Sequence, residues 1–136
     1  MSQDEFRYKK LDDHPEYFYI VTNDYCVKTC ITDQKVLHDF FDLSEDGTLI
    51  IRKKYMWDGA TCALDTHNFM RGSCVHDVLC QMLREKMIPK DSSEFKKYWR
   101  LATKELLKIC KEDGMWWPRR MWVKLGVNLN GRVNPS

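Results

Sequence analysis

The rhythm of apolar and polar positions changes once along the chain. Up to about residue 65 the apolar residues come in short runs rich in aromatic and β-branched side chains, at Tyr17–Thr22, Tyr25–Thr32 and Thr48–Tyr55. Such runs predict half-buried strands. Asn23-Asp24 between the first two is turn chemistry and predicts a hairpin, while Ser44-Glu-Asp-Gly47 predicts a tight entry into the third. Beyond residue 65 the period lengthens. Val75, Val78, Leu79, Met82 and Leu83 recur at helical spacing, predicting a helix from Phe69 to about Lys86 that ends before Pro89. Asp91 or Ser92 can cap a second helix, with Phe95, Tyr98, Trp99, Ala102, Leu106 and Ile109 on one face, stopped by Gly114. Pro118 can open a third, shorter helix to about Leu125. The expectation is one α+β domain over residues 1–136: antiparallel strands in 1–65, a hairpin plus a further strand, packed against two to three helices in 66–136.

Composition adds little to this picture, and charge somewhat more. Among 136 residues, 22 Lys+Arg oppose 20 Asp+Glu, which excludes a strongly basic or acidic chain. No run is long and apolar enough to span a bilayer, and the polar start (Ser2, Gln3, Asp4, Glu5) lacks the core of a signal peptide. A cytoplasmic protein is expected. Residues 114–136 hold Arg119, Arg120, Lys124 and Arg132 with no acid, beside Trp116, Trp117 and Trp122. Four cations make no strong nucleic-acid signal, and the tryptophans suit packing of the last helix. The six cysteines (Cys26, Cys30, Cys62, Cys74, Cys80, Cys110) include no C-x-x-C pair and are expected to be reduced and mostly in the core.

Candidate chemistry concentrates in Gly72-Ser-Cys-Val-His-Asp-Val-Leu-Cys-Gln-Met-Leu-Arg84. At about 100° per residue, Ser73, His76, Asp77, Cys80 and Arg84 share one face, opposite the apolar stripe. Adjacent helical residues do not face each other, so His76 and Asp77 would act on a third object, His76 as base and Asp77 as orienting group or metal ligand. The turn Tyr55-Met-Trp-Asp-Gly-Ala-Thr61 is the second candidate. Gly59 permits close backbone approach, Asp58 could face the helix, and Trp57 could stack on a base. Asp58 and Asp77 together would suit Mg²⁺ or Ca²⁺. Arg71 or Arg84 could meet a phosphate. His38-Asp39, set among Val36, Leu37, Phe40 and Phe41, is expected to approach the core.

The order Trp57-Asp-Gly-Ala-Thr61, Arg71-Gly-Ser-Cys-Val-His-Asp-Val-Leu79, Arg100-Leu-Ala-Thr-Lys-Glu-Leu106 and Met121-Trp-Val-Lys-Leu-Gly126 resembles a family of small, mostly phage and prophage proteins, the domain-of-unknown-function family thirteen fifty-three. Its hallmarks are an Asp-x-Ala-Ser/Thr turn, a helical His-Asp-x-Leu and a later Ala-Asp on the next helix. Here Cys80 stands where Tyr is common, and Thr103 where the later Asp is expected. The resemblance implies a phage or prophage origin and a shared site at Asp58, His76 and Asp77, with no reaction attached. Three functions follow as expectations. The first is a hydrolase of a phosphoryl or acyl ester of a small molecule, with Trp57, Gly59, Thr61, Arg71, Ser73, Cys80 and Arg84 around the catalytic His76, Asp77 and Asp58. The others are a non-catalytic binder, for example of a host defence nucleotide, and an accessory of virion or tail assembly that docks on a phage or host protein.

Overall fold

The computed structural model describes residues 5–12, 19–57 and 67–114, which hold seven strands and two long helices. The class is α+β: antiparallel strands come first and helices follow. The chain divides into two compact units, Met1–Gly59 and Ala60–Ser136.

In the first unit, β1 (Tyr8–Lys10), β2 (Tyr19–Val21) and β7 (Met56–Trp57) form one sheet in the order β1-β2-β7. A second sheet has the order β3-β6-β5-β4, from β3 (Tyr25–Lys28), β4 (Val36–Leu37), β5 (Phe41–Leu43) and β6 (Thr48–Ile51). All pairings are antiparallel, and their register explains the core. Tyr25, Ile51 and Phe41 align in one row across the second sheet and Val27, Leu49, Leu43 and Val36 in the next; all are buried. The period-2 rule turns the row between them (Cys26, Ile50, Asp42, Leu37) to the other face. Trp57, fully buried, lies 5.5 Å from the Tyr19 ring and about 6 Å from those of Tyr8 (6.0 Å) and Phe6 (5.9 Å). Phe6 also meets Tyr25 edge-on at 5.1 Å, so one aromatic cluster joins the two sheets.

The hairpin expected at Asn23-Asp24 does not form there, because β2 and β3 belong to different sheets. β2 is paired on both sides, by β1 and β7, which leaves β3 to pair with β6. Asn23-Asp24 is instead a crossover: Asn23 Nδ2 donates to the Glu5 and Asp24 carbonyls, and Asp24 Oδ1 accepts from Lys53 N–H. Lys53 lies in the return crossover, where Lys54 has φ 81° and donates to Val21 O. The expected turn at Ser44–Gly47 is present. Gly47 has φ 94°, its carbonyl accepts from Thr29 N and Oγ1, and a Cβ there would lie 2.5 Å from Thr29 O. Only glycine fits that approach.

The second unit is built on α1 (His67–Arg84) and α2 (Phe95–Glu112). α1 ends in a Schellman turn: Lys86, at φ 61°, donates to Leu83 O and Met87 donates to Met82 O. Asp91 Oδ1 then accepts from Ser93 N–H and caps a 3₁₀ turn, Ser92–Glu94, that leads into α2. α2 has two clean faces. Tyr98, Ala102, Leu106 and Ile109 of the expected apolar stripe are buried together with Cys110, while Phe95 and Trp99 at its N-terminal end are half-buried. The helices cross closely at Gly72, where an added Cβ would lie 3.0 Å from Cys110 Sγ, 3.0 Å from Leu106 Cδ1 and 3.2 Å from Leu106 O. The third helix expected from Pro118 lies outside the described residues.

The crossing generates a prediction. Gly72→Val should cost about 2 kcal/mol or more from overpacking, and Gly72→Ala less, because the gain of about 1 kcal/mol in helix propensity offsets part of the strain. Lys104→Ala, on the exposed face of α2, should stay within about 0.5 kcal/mol of wild type. Urea unfolding monitored by circular dichroism reads all three.

Candidate functional site

The residues of the expected stripe on α1 do not share one environment. Ser73 (5% exposed) and Cys80 (2%) are as buried as the apolar stripe behind them, His76 and Asp77 are partly exposed, and Arg84 is exposed. The simple division into a core face and a pocket wall therefore gives way. α1 is covered on most of its circumference, as a central helix is, and the small polar residues are how the sequence allows it. Ser73 Oγ donates to Met70 O one turn back, which satisfies the hydroxyl within the helix. Cys74 and Cys80 pack as small apolar groups.

The closest pair of reactive side chains is His76 and Cys80, one turn apart on α1. Cys80 Sγ lies 3.4 Å from His76 Nε2 and 3.7 Å from Nδ1. A sulfur nearly equidistant from both ring nitrogens cannot lie along either lone pair, so this is a contact of the thiol with the ring. Electrostatics points the same way. Burial holds the His76 imidazole down to about 4, helped by the positive Arg84. Burial and the Asp77 carboxylate push the Cys80 thiol up to about 12, with Arg84 opposing. Burial likewise raises the Cys74 thiol well above the usual thiol range, Asp77 adding to it. Both partners are neutral at physiological pH. A thiolate–imidazolium nucleophile is thereby disfavoured, and what is left is a neutral imidazole next to a carboxylate.

The two candidate arginines part company. Arg71, in the second turn of α1, donates from Nε to Asp113 Oδ2 and from an Nη to Glu112 Oε1, both at 3.0 Å. Its side chain is only 13% exposed, and the fork ties the beginning of α1 to the end of α2. Arg84 keeps its guanidinium in solvent near His76 and Cys80, where its charge acts on both.

On the strand side, Trp57 is a core group whose ring is spent on the aromatic cluster, not one held out for stacking. Asp58, Gly59 and Thr61 lie outside the described residues. No cluster of three or more His, Cys, Asp or Glu able to hold a metal occurs among the described residues, and Asp58 of the Asp58–Asp77 pair expected for Mg²⁺ or Ca²⁺ lies outside them. His38 approaches the core as expected. Its ring stacks on Phe41 at 4.1 Å, and its Nδ1 accepts from Phe40 N–H in the turn between β4 and β5.

On α2, Thr103 is buried and donates to Trp99 O at 3.3 Å. A buried carboxylate does occur on this helix, two residues on, and the sequence reading passed over it. Glu105 is 1% exposed, with Lys108 Nζ 3.9 Å from its Oε1. The signal was available: Glu105 interrupts Leu101-Ala-Thr-Lys-Glu-Leu-Leu107 on the flank of the apolar stripe. No family model, no curated protein and no solved structure matches the chain.

Two predictions follow. The His76 imidazole should titrate near pH 4 in proton NMR, against about 6.5 in the unfolded chain. With its folded value depressed, the unfolded state takes up the proton first. The stability held above pH 6.5 is therefore lost as pH falls toward 4, by about 3 kcal/mol in total. His76→Gln should flatten that part of the pH–stability curve relative to wild type. Separately, Arg71→Ala should cost about 1 to 2 kcal/mol, because a partly buried two-carboxylate fork loses its cation. Thermal unfolding checks it.

Proposed function

We propose that this is a small phage-encoded protein that acts on a small molecule through the His76–Asp77 segment of α1, as a hydrolase of a phosphoryl or acyl ester. One observation carries the reading: on a helix covered almost all round, His76 and Asp77 remain partly exposed, with the cationic Arg84 about two turns further on. His76 is a proton acceptor that stays neutral throughout the physiological range, Asp77 orients it or the substrate, and Arg84 offers a guanidinium to a phosphoryl oxygen. Asp58 joins this site in the proposal on the strength of the sequence resemblance alone. Any divalent metal would need ligands beyond the described residues.

A second reading, the non-catalytic binder, is favoured by a specific observation. Ser73 donates to Met70 O and Cys80 is a protonated, buried thiol, so neither the hydroxyl nor the thiol of the stripe is poised as a nucleophile.

The deciding experiment incubates the wild type, His76→Ala and Asp77→Asn with a small-molecule extract of host bacteria. Mass spectrometry follows both what is consumed and what stays bound. The hydrolase predicts a metabolite lost with the wild type and spared about 10²-fold or more by His76→Ala, circular dichroism showing both variants folded. A compound retained unchanged by the wild type selects the binder. If His76→Ala and Asp77→Asn turn over and bind like the wild type, the α1 site is wrong.

A further inference from the structure

The outward face of α2 carries a charge pattern that the total charge conceals. Residues 1–59 hold 8 Lys+Arg against 12 Asp+Glu, a net of −4, and residues 60–136 hold 14 against 8, a net of +6; together they give the chain's +2. Much of the excess lies on one helix. Lys96, Lys97, Arg100, Lys104, Lys108 and Lys111 are all exposed, and at 100° per residue they fall within an arc of about 120°, opposite the buried face. No acidic residue shares that arc. Of the nearby acids, Glu112 and Asp113 are held by Arg71, and Glu94 and the buried Glu105 each approach only a cation at the edge of the arc. Lys97 has Glu94 at 4.0 Å and Lys108 has Glu105 at 3.9 Å, while Lys96, Arg100, Lys104 and Lys111 have no ion-pair partner among the described residues.

This arrangement opposes helix formation, since like charges at i,i+4 (Lys96, Arg100, Lys104, Lys108) repel. A merely solvated face would mix signs. From these observations we infer that the exposed face of α2 is a docking surface for the phosphate backbone of a nucleic acid, bound without sequence preference. Successive cations at i,i+4 are about 6 Å apart and the stripe runs about 22 Å, a linear array suited to a linear polyanion. Five of the six cations are lysines and no Asn or Gln interrupts them, so the face offers point charges to phosphates and nothing to read base edges. An anionic bilayer is the poorer fit. Leu107, the apolar residue inside the arc, is half-buried, and the exposed large apolar side chains among the described residues, Leu37 and Phe40, lie in the other unit. Insertion needs an outward apolar face that this helix has already buried.

The test uses the full chain and the triple variant Lys96→Gln/Arg100→Gln/Lys104→Gln, whose native side chains are exposed and unpaired, so its thermal midpoint should match the wild type. Binding to a fluorescent 20-base-pair duplex is followed by anisotropy from 50 to 200 mM salt. The wild type should bind two duplexes of unrelated sequence equally, with log K falling against log salt at a slope of about −4 to −5. The triple variant should lose about 3 units of that slope and at least tenfold in affinity at 50 mM salt. Any of three results overturns the inference: no duplex binding at 50 mM salt; a triple variant that binds like the wild type, which would move the contact to the basic residues after 114; or capture by phosphatidylserine vesicles with the duplex ignored.

Discussion

The second unit depends on the missing side chain at Gly72. A Cβ at that position would press on Leu106 and Cys110 at 3.0 to 3.2 Å, so those side chains or the seam between α1 and α2 would have to give way. Everything placed by that seam inherits the constraint. The same close approach brings Arg71 within reach of Glu112 and Asp113, and it leaves α2 with one mainly buried and one mainly exposed face. Glycine is a poor helix residue by about 1 kcal/mol, so its position in the second turn of α1 records a packing requirement that outweighs local preference.

The first unit rests on a comparable economy among aromatics. Trp57, Tyr19, Tyr8, Phe6 and Tyr25 belong to both sheets and to the segment before β1, so a single cluster sets how the sheets meet. The two crossovers, at 22–24 and 52–55, are tied by the bond from Lys53 N–H to Asp24 Oδ1. That bond performs the sorting a hairpin would have performed locally.

Legibility in the sequence followed the range of the interactions. α2 was plain because its apolar period is a local signal, and the turn at Asp46-Gly47 was plain for the same reason, whereas the expected cap at Asp91 serves the 3₁₀ turn before α2 and the helix itself starts after Glu94 without a side-chain cap. The partner of β2 was not, since pairing with residues 8–10 and 56–57 leaves no trace at Asn23-Asp24. At the candidate site, periodicity correctly put Ser73, His76, Asp77, Cys80 and Arg84 on one face of α1 but could not say what covers that face. Burial of Ser73 and Cys80 and the capture of Arg71 by α2 arise from tertiary packing, whereas the contact between Cys80 and His76 is an i,i+4 neighbour pair that the helix alone brings together. The lysines of α2 were visible individually, yet their meaning depended on knowing that Glu105 turns inward and that Glu112 and Asp113 are taken.

Two hydroxyls, Ser73 on α1 and Thr103 on α2, are folded back onto the carbonyls of their own helices, at Met70 and Trp99. Each therefore has an acceptor on its own helix, and at Thr103 a small apolar residue of similar volume would leave the Trp99 carbonyl in its helical bond. A carboxylate at 103 would be a different matter, because a buried charge needs a counter-charge or donors that one helical carbonyl cannot provide. Position 103 therefore holds a hydroxyl without any demand on the surrounding fold, while an acid placed there would require that the surroundings be rebuilt first.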